Sequence, residues 1–139
     1  MIDSQPDWFK KALSVKKEQK IIEVEEGEIF YQHWGDKSKP GIVLVHGSGS
    51  HSHWWDFIAP QLLETFQVSA IDLSGMGESS HRGDYSPELY AKEILSVAED
   101  SGFFQVGKPI ICGHSMGGFM TATAGYITDK ELTLSLIHI

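Results

Sequence analysis

The residues best suited by type and spacing to do chemistry are Gly113-His114-Ser115-Met116-Gly117, a G-x-S-x-G. A serine hydroxyl becomes a nucleophile when a base takes its proton. A chain of 139 residues with 14 glycines meets this pattern readily by chance, so its surroundings decide its meaning. An apolar run, Pro109-Ile110-Ile111-Cys112, precedes it and a small-residue run, GGFMTATAG, follows. Strand, sharp turn and helix in that order set Ser115 in a costly backbone region with its hydroxyl exposed. Side chains at 113 or 117 would collide across such a turn, and Gly118, Ala122 and Gly125 would let the helix approach the sheet. The helix start brings free N–H groups and a positive dipole end, suited to a developing oxyanion; the Met116 N–H is the first candidate donor. A second small-residue turn, His46-Gly47-Ser48-Gly49, can aim the Ser48 N–H at the same point. Downstream of it, Trp54, Trp55 and Phe57 suggest an apolar wall at a pocket mouth, with at least one of them packing on the body instead.

These loops need a frame. Residues 7–15 carry apolar positions at helical spacing among lysines and predict a short helix laid over the body, part of an N-terminal arm over 1–19. Alternation on either side of Glu26-Gly27 predicts a two-strand hairpin. Unbroken apolar runs at 42–45, 66–71 and 109–112 predict strands covered on both faces. Helices are predicted over 54–64, with Pro60 as a kink, over 86–101, with Ser86 as cap and Leu89, Ile94, Leu95 and Val97 or Ala98 buried, and over 116–128. Strands alternating with helices give a mostly parallel α/β sheet with an antiparallel N-terminal hairpin, and ligands bind beyond the carboxyl ends of such strands. The three unusual loops, HGSGSHSHWW, DLSGMGESSH and GHSMGG, fall at those ends.

HGSG at 46–49, DLSGMGES at 72–79 and GHSMGG at 113–118 together resemble the α/β-hydrolase superfamily, in its esterase-like branch. The resemblance spans about residues 20–133. It implies an α/β-hydrolase fold that stops after the nucleophile helix, with Ser115 as nucleophile and the N–H groups of Ser48 and Met116 as oxyanion donors. Gly47, Gly49, Trp54 and His114 would shape the pocket, and Asp72 would be structural. Relatives with an aspartate nucleophile carry Asp at the elbow, so the serine disfavours epoxide hydrolysis and dehalogenation. Ester, thioester, lactone, amide and carbon–carbon hydrolysis stay open, and a retired receptor or an acyltransferase on the same fold are the alternatives.

In that family an acid and a histidine follow the serine. After Ser115 come Asp129 and Glu131, which belong at the far end of the helix, and His138, which belongs to the next strand. The expected acid and base are therefore missing, and an isolated fragment is expected to be inactive and poorly soluble. His46 reads as structural, His33 and His81 as ordinary strand and loop residues, and His51-x-His53 lacks a third ligand, so neither metal nor cofactor is expected. The closing Leu134-Ser135-Leu136-Ile137-His138-Ile139 matches the translation of a transposase adapter used in sequencing libraries, and 134–139 are expected to be foreign to the native chain.

A net charge of −8 repels polyanions and argues against a nucleic-acid partner; a small-molecule substrate is expected instead. The single cysteine, Cys112, excludes an internal disulfide and reads as an inert core residue. There is no apolar run of membrane-spanning length and no secretory signal, so the cytoplasm is the default location, with the oligomeric state left open.

Overall fold

The computed structural model describes residues 4–137. A six-stranded sheet runs in the order β1-β2-β4-β3-β5-β6, formed by β1 (Glu18–Val24), β2 (Gly27–Trp34), β3 (Gly41–Val45), β4 (Gln67–Ile71), β5 (Ile110–His114) and β6 (Thr133–Ile137). β1 and β2 form the expected antiparallel hairpin, and β2 joins β4 antiparallel. β4, β3, β5 and β6 are parallel throughout.

Successive residues of β3 serve opposite faces. Val43 and Val45 join a core with Ile71, Ile94, Val97, Phe103, Ile111 and Met120. Ile42 and Leu44 join a second core with Trp34, Trp55, Ala59, Val68 and Ala70. A strand apolar at every position is what two covered faces require. The first face is covered by α2 (Pro87–Asp100), α3 (Phe103–Val106) and α4 (Met116–Ile127), and α1 (Asp7–Leu13) lies over the second. Ser86 caps α2 as expected, its Oγ accepting the Leu89 N–H at 3.1 Å. Gly102, at φ 75°, ends the helical run.

Three expectations are corrected. Residues 54–64 are not an α-helix; the stretch holds two short 3₁₀ turns, Ser52–Trp55 and Ala59–Leu62. Pro60 sits in the second turn, where its missing N–H and fixed ring forbid a continuous i→i−4 ladder. In α2 the buried positions are Ala91, Glu93, Ile94, Val97 and Ala98, while Leu89 and Leu95 are only half-buried. The hairpin turn is Glu25-Glu26, both at positive φ, and Gly27 already pairs with Val24 in the ladder. Gly27 is small for another reason: a Cβ there would meet the Arg82 guanidinium at 2.6 Å.

Arg82 ties the hairpin to the loop after β4. It donates to the carbonyls of Glu25 (2.6 Å) and Val24 (2.7 Å) and to Glu93 Oε1 (3.0 Å). Glu93 Oε2 accepts the Ser74 N–H at 2.9 Å. Removing either partner of a pair this buried would strand a charge, so the loop after β4 is held firmly against α2. Of the segment 134–139, residues 134–137 belong to the exposed outer strand β6, and His138 and Ile139 lie outside the described residues.

Candidate active site

The loops that follow β3, β4 and β5 meet at the carboxyl ends of those strands, and Ser115 stands where β5 turns into α4. Its backbone lies at φ 55° and ψ −121°, a region that non-glycine residues rarely occupy and that costs about 1–3 kcal/mol. The turn is held on both sides. The Ser115 N–H donates to the Ile137 carbonyl at 3.0 Å, and the Ser115 carbonyl accepts the N–H groups of Gly118 (2.9 Å) and Phe119 (3.3 Å). The Oγ does not cap the helix, and the side chain is exposed.

The neighbouring glycines answer to contact rather than to φ. A Cβ on Gly117 would lie 2.6 Å from the Val45 carbonyl oxygen and nearer still to that of His46. A Cβ on Gly113 would run into Gly117 and Thr121. Gly125 makes room for Leu134 of β6, whose Cδ1 would be 2.7 Å from a Cβ there. Ala122 does not serve this approach; it is exposed, and Thr121 and Ala124 are the buried residues of α4. Ala122 instead lines a hollow of about 300 Å³ with Ser115, Gly118, Phe119, Leu136 and Ile137. Two larger hollows, of about 500 and 520 Å³, surround Phe104 and Lys130 and do not include Ser115.

The loop after β3 touches the serine. A Cβ on Gly47 would be 3.3 Å from Ser115 Cβ and 3.2 Å from His114 Nδ1. Gly47 opens a tight turn whose carbonyl accepts the Ser50 N–H at 3.2 Å, leaving Ser48 exposed and Gly49 at φ 70°. Among the described residues neither the Ser48 nor the Met116 N–H is spent on a hydrogen bond, so both stay available to a ligand at the serine. The Gly49 N–H meets Met76 Sδ at 3.3 Å, a tie to the loop after β4 that no spacing rule announces. Met116 itself packs half-buried against the core.

His46 is structural, as its place before the glycine suggests. Fully buried, it donates from Nδ1 to the Gly47 carbonyl (2.7 Å) and accepts the Leu73 N–H at Nε2 (3.0 Å). Burial lowers its pKa, which keeps the ring neutral and Nε2 free to accept. Asp72 is the matching anchor of the next loop. Its Oδ1 accepts the Ser52 N–H at 2.6 Å, its Oδ2 the Glu78 N–H at 2.8 Å, and its carbonyl the Ser79 hydroxyl at 2.6 Å. Gly77, at φ 56°, leaves the space that the Asp72 carboxylate fills.

Behind the loop lies a polar cluster that sequence reasoning passed over. Gln32 Nε2 donates to Ser52 Oγ (3.0 Å) and Asp56 Oδ1 (3.1 Å), and Asp56 Oδ2 binds His53 Nδ1 (2.8 Å) and Lys17 Nζ (3.0 Å). Burial pushes the Asp56 carboxyl up, but the bonds from His53 and Lys17 outweigh it and hold the group below its usual range. Gln32-His33 inside the apolar run of β2 was the available signal, since a buried polar pair needs partners; His33 Nε2 finds Gln67 Oε1 at 2.8 Å.

The expected aromatic wall reduces to one residue. Trp55 is in the core and Phe57 packs on Phe9, ring centroids 5.4 Å apart. Trp54 stays exposed and stacks on His114. Asp129 and Glu131 follow the far end of α4, a helix about 18 Å long, and are exposed. Cys112 is half-buried, and burial raises its thiol pKa, in keeping with an unreactive residue.

Residues 42–137, more than half of the chain, match the model of the alpha/beta hydrolase family. The chain belongs to this family. An uncharacterized protein of Mycobacterium tuberculosis is 37% identical over 106 residues, which take in 70% of this chain and 29% of that protein. The pimeloyl-[acyl-carrier protein] methyl ester esterase of Klebsiella pneumoniae is 33% identical over 91 residues, covering 66% of this chain and 33% of the esterase. The 2-hydroxy-6-oxo-6-phenylhexa-2,4-dienoate hydrolase of Rhodococcus sp. strain RHA1 superposes with a TM-score of 0.76 at 28% identity, over 88% of this chain and 46% of that one. The chain thus spans about a third of the length of the curated relatives it matches. Among the described residues no helix is long and apolar enough to cross a membrane.

Proposed function

We propose that the whole protein is a serine hydrolase acting on an ester-like small molecule through an acyl-enzyme on Ser115. The observation that carries this reading is an exposed serine on a strained strand-to-helix turn, with Gly47 so near that a Cβ there would meet it and with its Oγ bonded to no described residue. Strain of this kind persists where the surroundings force it, and it clusters at sites of function.

In the proposed reaction Oγ attacks the substrate's carbonyl carbon, forming a C–O bond as the carbonyl electrons move onto oxygen. The N–H groups of Ser48 and Met116 receive that oxyanion, each donor contributing about 3 kcal/mol to the barrier reduction. The bond to the leaving group then breaks as the leaving oxygen takes up the proton that Oγ gave, and water attacks the acyl-enzyme, releasing the acid and returning a proton to Oγ. The proton leaving Oγ needs a base, and no described histidine bonds the hydroxyl; the proposal takes base and orienting acid from outside these residues. Acid quenching of the whole protein during turnover of an activated aryl ester tests the reading. Acyl mass on the peptide holding Ser115 is expected; acyl mass on another residue, with Ser115→Ala still fully active, would overturn it.

A further inference from the structure

We infer that Trp54, stacked on His114, is the platform on which a planar, unsaturated group of the substrate lies; this rests on the serine-hydrolase reading above. Two consecutive tryptophans meet opposite fates. Trp55 is 3% exposed in the core, whereas Trp54 is 52% exposed. Burying an indole is strongly favoured, so one left half exposed beside the residue that precedes Ser115 offers its face to a ligand.

Trp54 is nonetheless held. Its backbone N–H donates to the His51 carbonyl at 3.2 Å, closing the 3₁₀ turn that Trp55 pins to the core. Its ring lies flat against the His114 imidazole, centroids 6.3 Å apart and planes within 15°. His114 directly precedes Ser115, and the Gly47 position is in contact with both residues. The indole is therefore one ring removed from the candidate nucleophile. Asp56, two residues along the chain, is already engaged by His53 and Lys17. A flat aromatic surface favours a planar group stacked in offset geometry over a puckered group of equal bulk.

Two fluorophosphonates that differ only in a benzyl or a cyclohexylmethyl group on phosphorus test this in the whole protein. Each forms an Oγ–P bond at Ser115 as the P–F bond breaks, fluoride leaves and the Oγ proton passes to the base of the proposed reaction, so labelling needs no knowledge of the natural substrate. The benzyl probe is expected to label roughly 3- to 10-fold faster. Trp54→Ala, or Trp54→Leu, which keeps bulk without a flat face, should bring the two rates together, and Trp54→Phe should retain part of the preference. Equal rates in the native protein, or a preference that survives in a folded Trp54→Leu, would overturn the inference alone. Absence of any Ser115 adduct with either probe would overturn the hydrolase reading, and this inference with it.

Discussion

Replacing Gly117 with alanine tests how tightly the elbow is built. The added Cβ would sit 2.6 Å from the Val45 carbonyl oxygen, and closer to that of His46, where ordinary contact begins at 3.4 Å. Both obstacles are backbone at the end of β3, and neither can rotate away as a side chain would. The helix must back off by roughly 1 Å to clear the His46 carbonyl, or the end of β3 must bend. Overpacking of this kind costs about 1–3 kcal/mol, and a double backbone clash belongs at the upper end. Alanine returns about 0.5–1 kcal/mol through the entropy of the unfolded chain, so the net loss is about 2 kcal/mol. Urea unfolding of the whole protein should show the midpoint falling by about 1 M with an unchanged slope. Gly118→Ala is the control: its Cβ would be 3.2 Å from the Gly113 carbonyl oxygen, and its loss should stay below about 1 kcal/mol. A Gly117→Ala protein as stable as the native one would refute the close approach of α4 to β3.

Two further predictions concern the loops that meet the serine. Asp72→Asn places an amide N–H₂ against the N–H of either Ser52 or Glu78 and should cost about 2–3 kcal/mol; amide hydrogen exchange should quicken at the affected residue, and unchanged protection at both would contradict the anchoring role. Burial lowers the pKa of His46 and His33 in the folded chain, so below the ordinary histidine value near 6.5 the unfolded chain binds protons that the folded chain refuses. Their contribution to stability is therefore complete above that pH and is lost as pH falls toward the folded values; urea midpoints flat between pH 7.5 and 5.5 would contradict it.

Much of this was legible before any coordinates. The apolar runs in β3 and β5 announced strands covered on both faces, and the glycines around Ser115 announced a turn without room for side chains. The stretch around Pro60 misled because its apolar spacing suits a helix, while the proline's missing donor is a local fact that periodicity does not weigh. Hydrophobicity alone puts Leu89 and Leu95 inward, but the inward position on α2 belongs to Glu93, which answers Arg82 eleven residues earlier. Pairings between distant loops, such as Gly49 with Met76 or Gln32 with Ser52, depend on how the strands are ordered and leave no trace in local spacing. The different fates of Trp54 and Trp55 arise in the same way: one turn of 3₁₀ backbone sends a single indole into the core.

Whether Ser115 is the nucleophile can be read from the mass of the whole protein after exposure to a fluorophosphonate. A single adduct is expected, located on the peptide that contains Ser115 and absent from Ser115→Ala. A folded native protein that takes up no adduct, or an adduct that persists in Ser115→Ala, would contradict it.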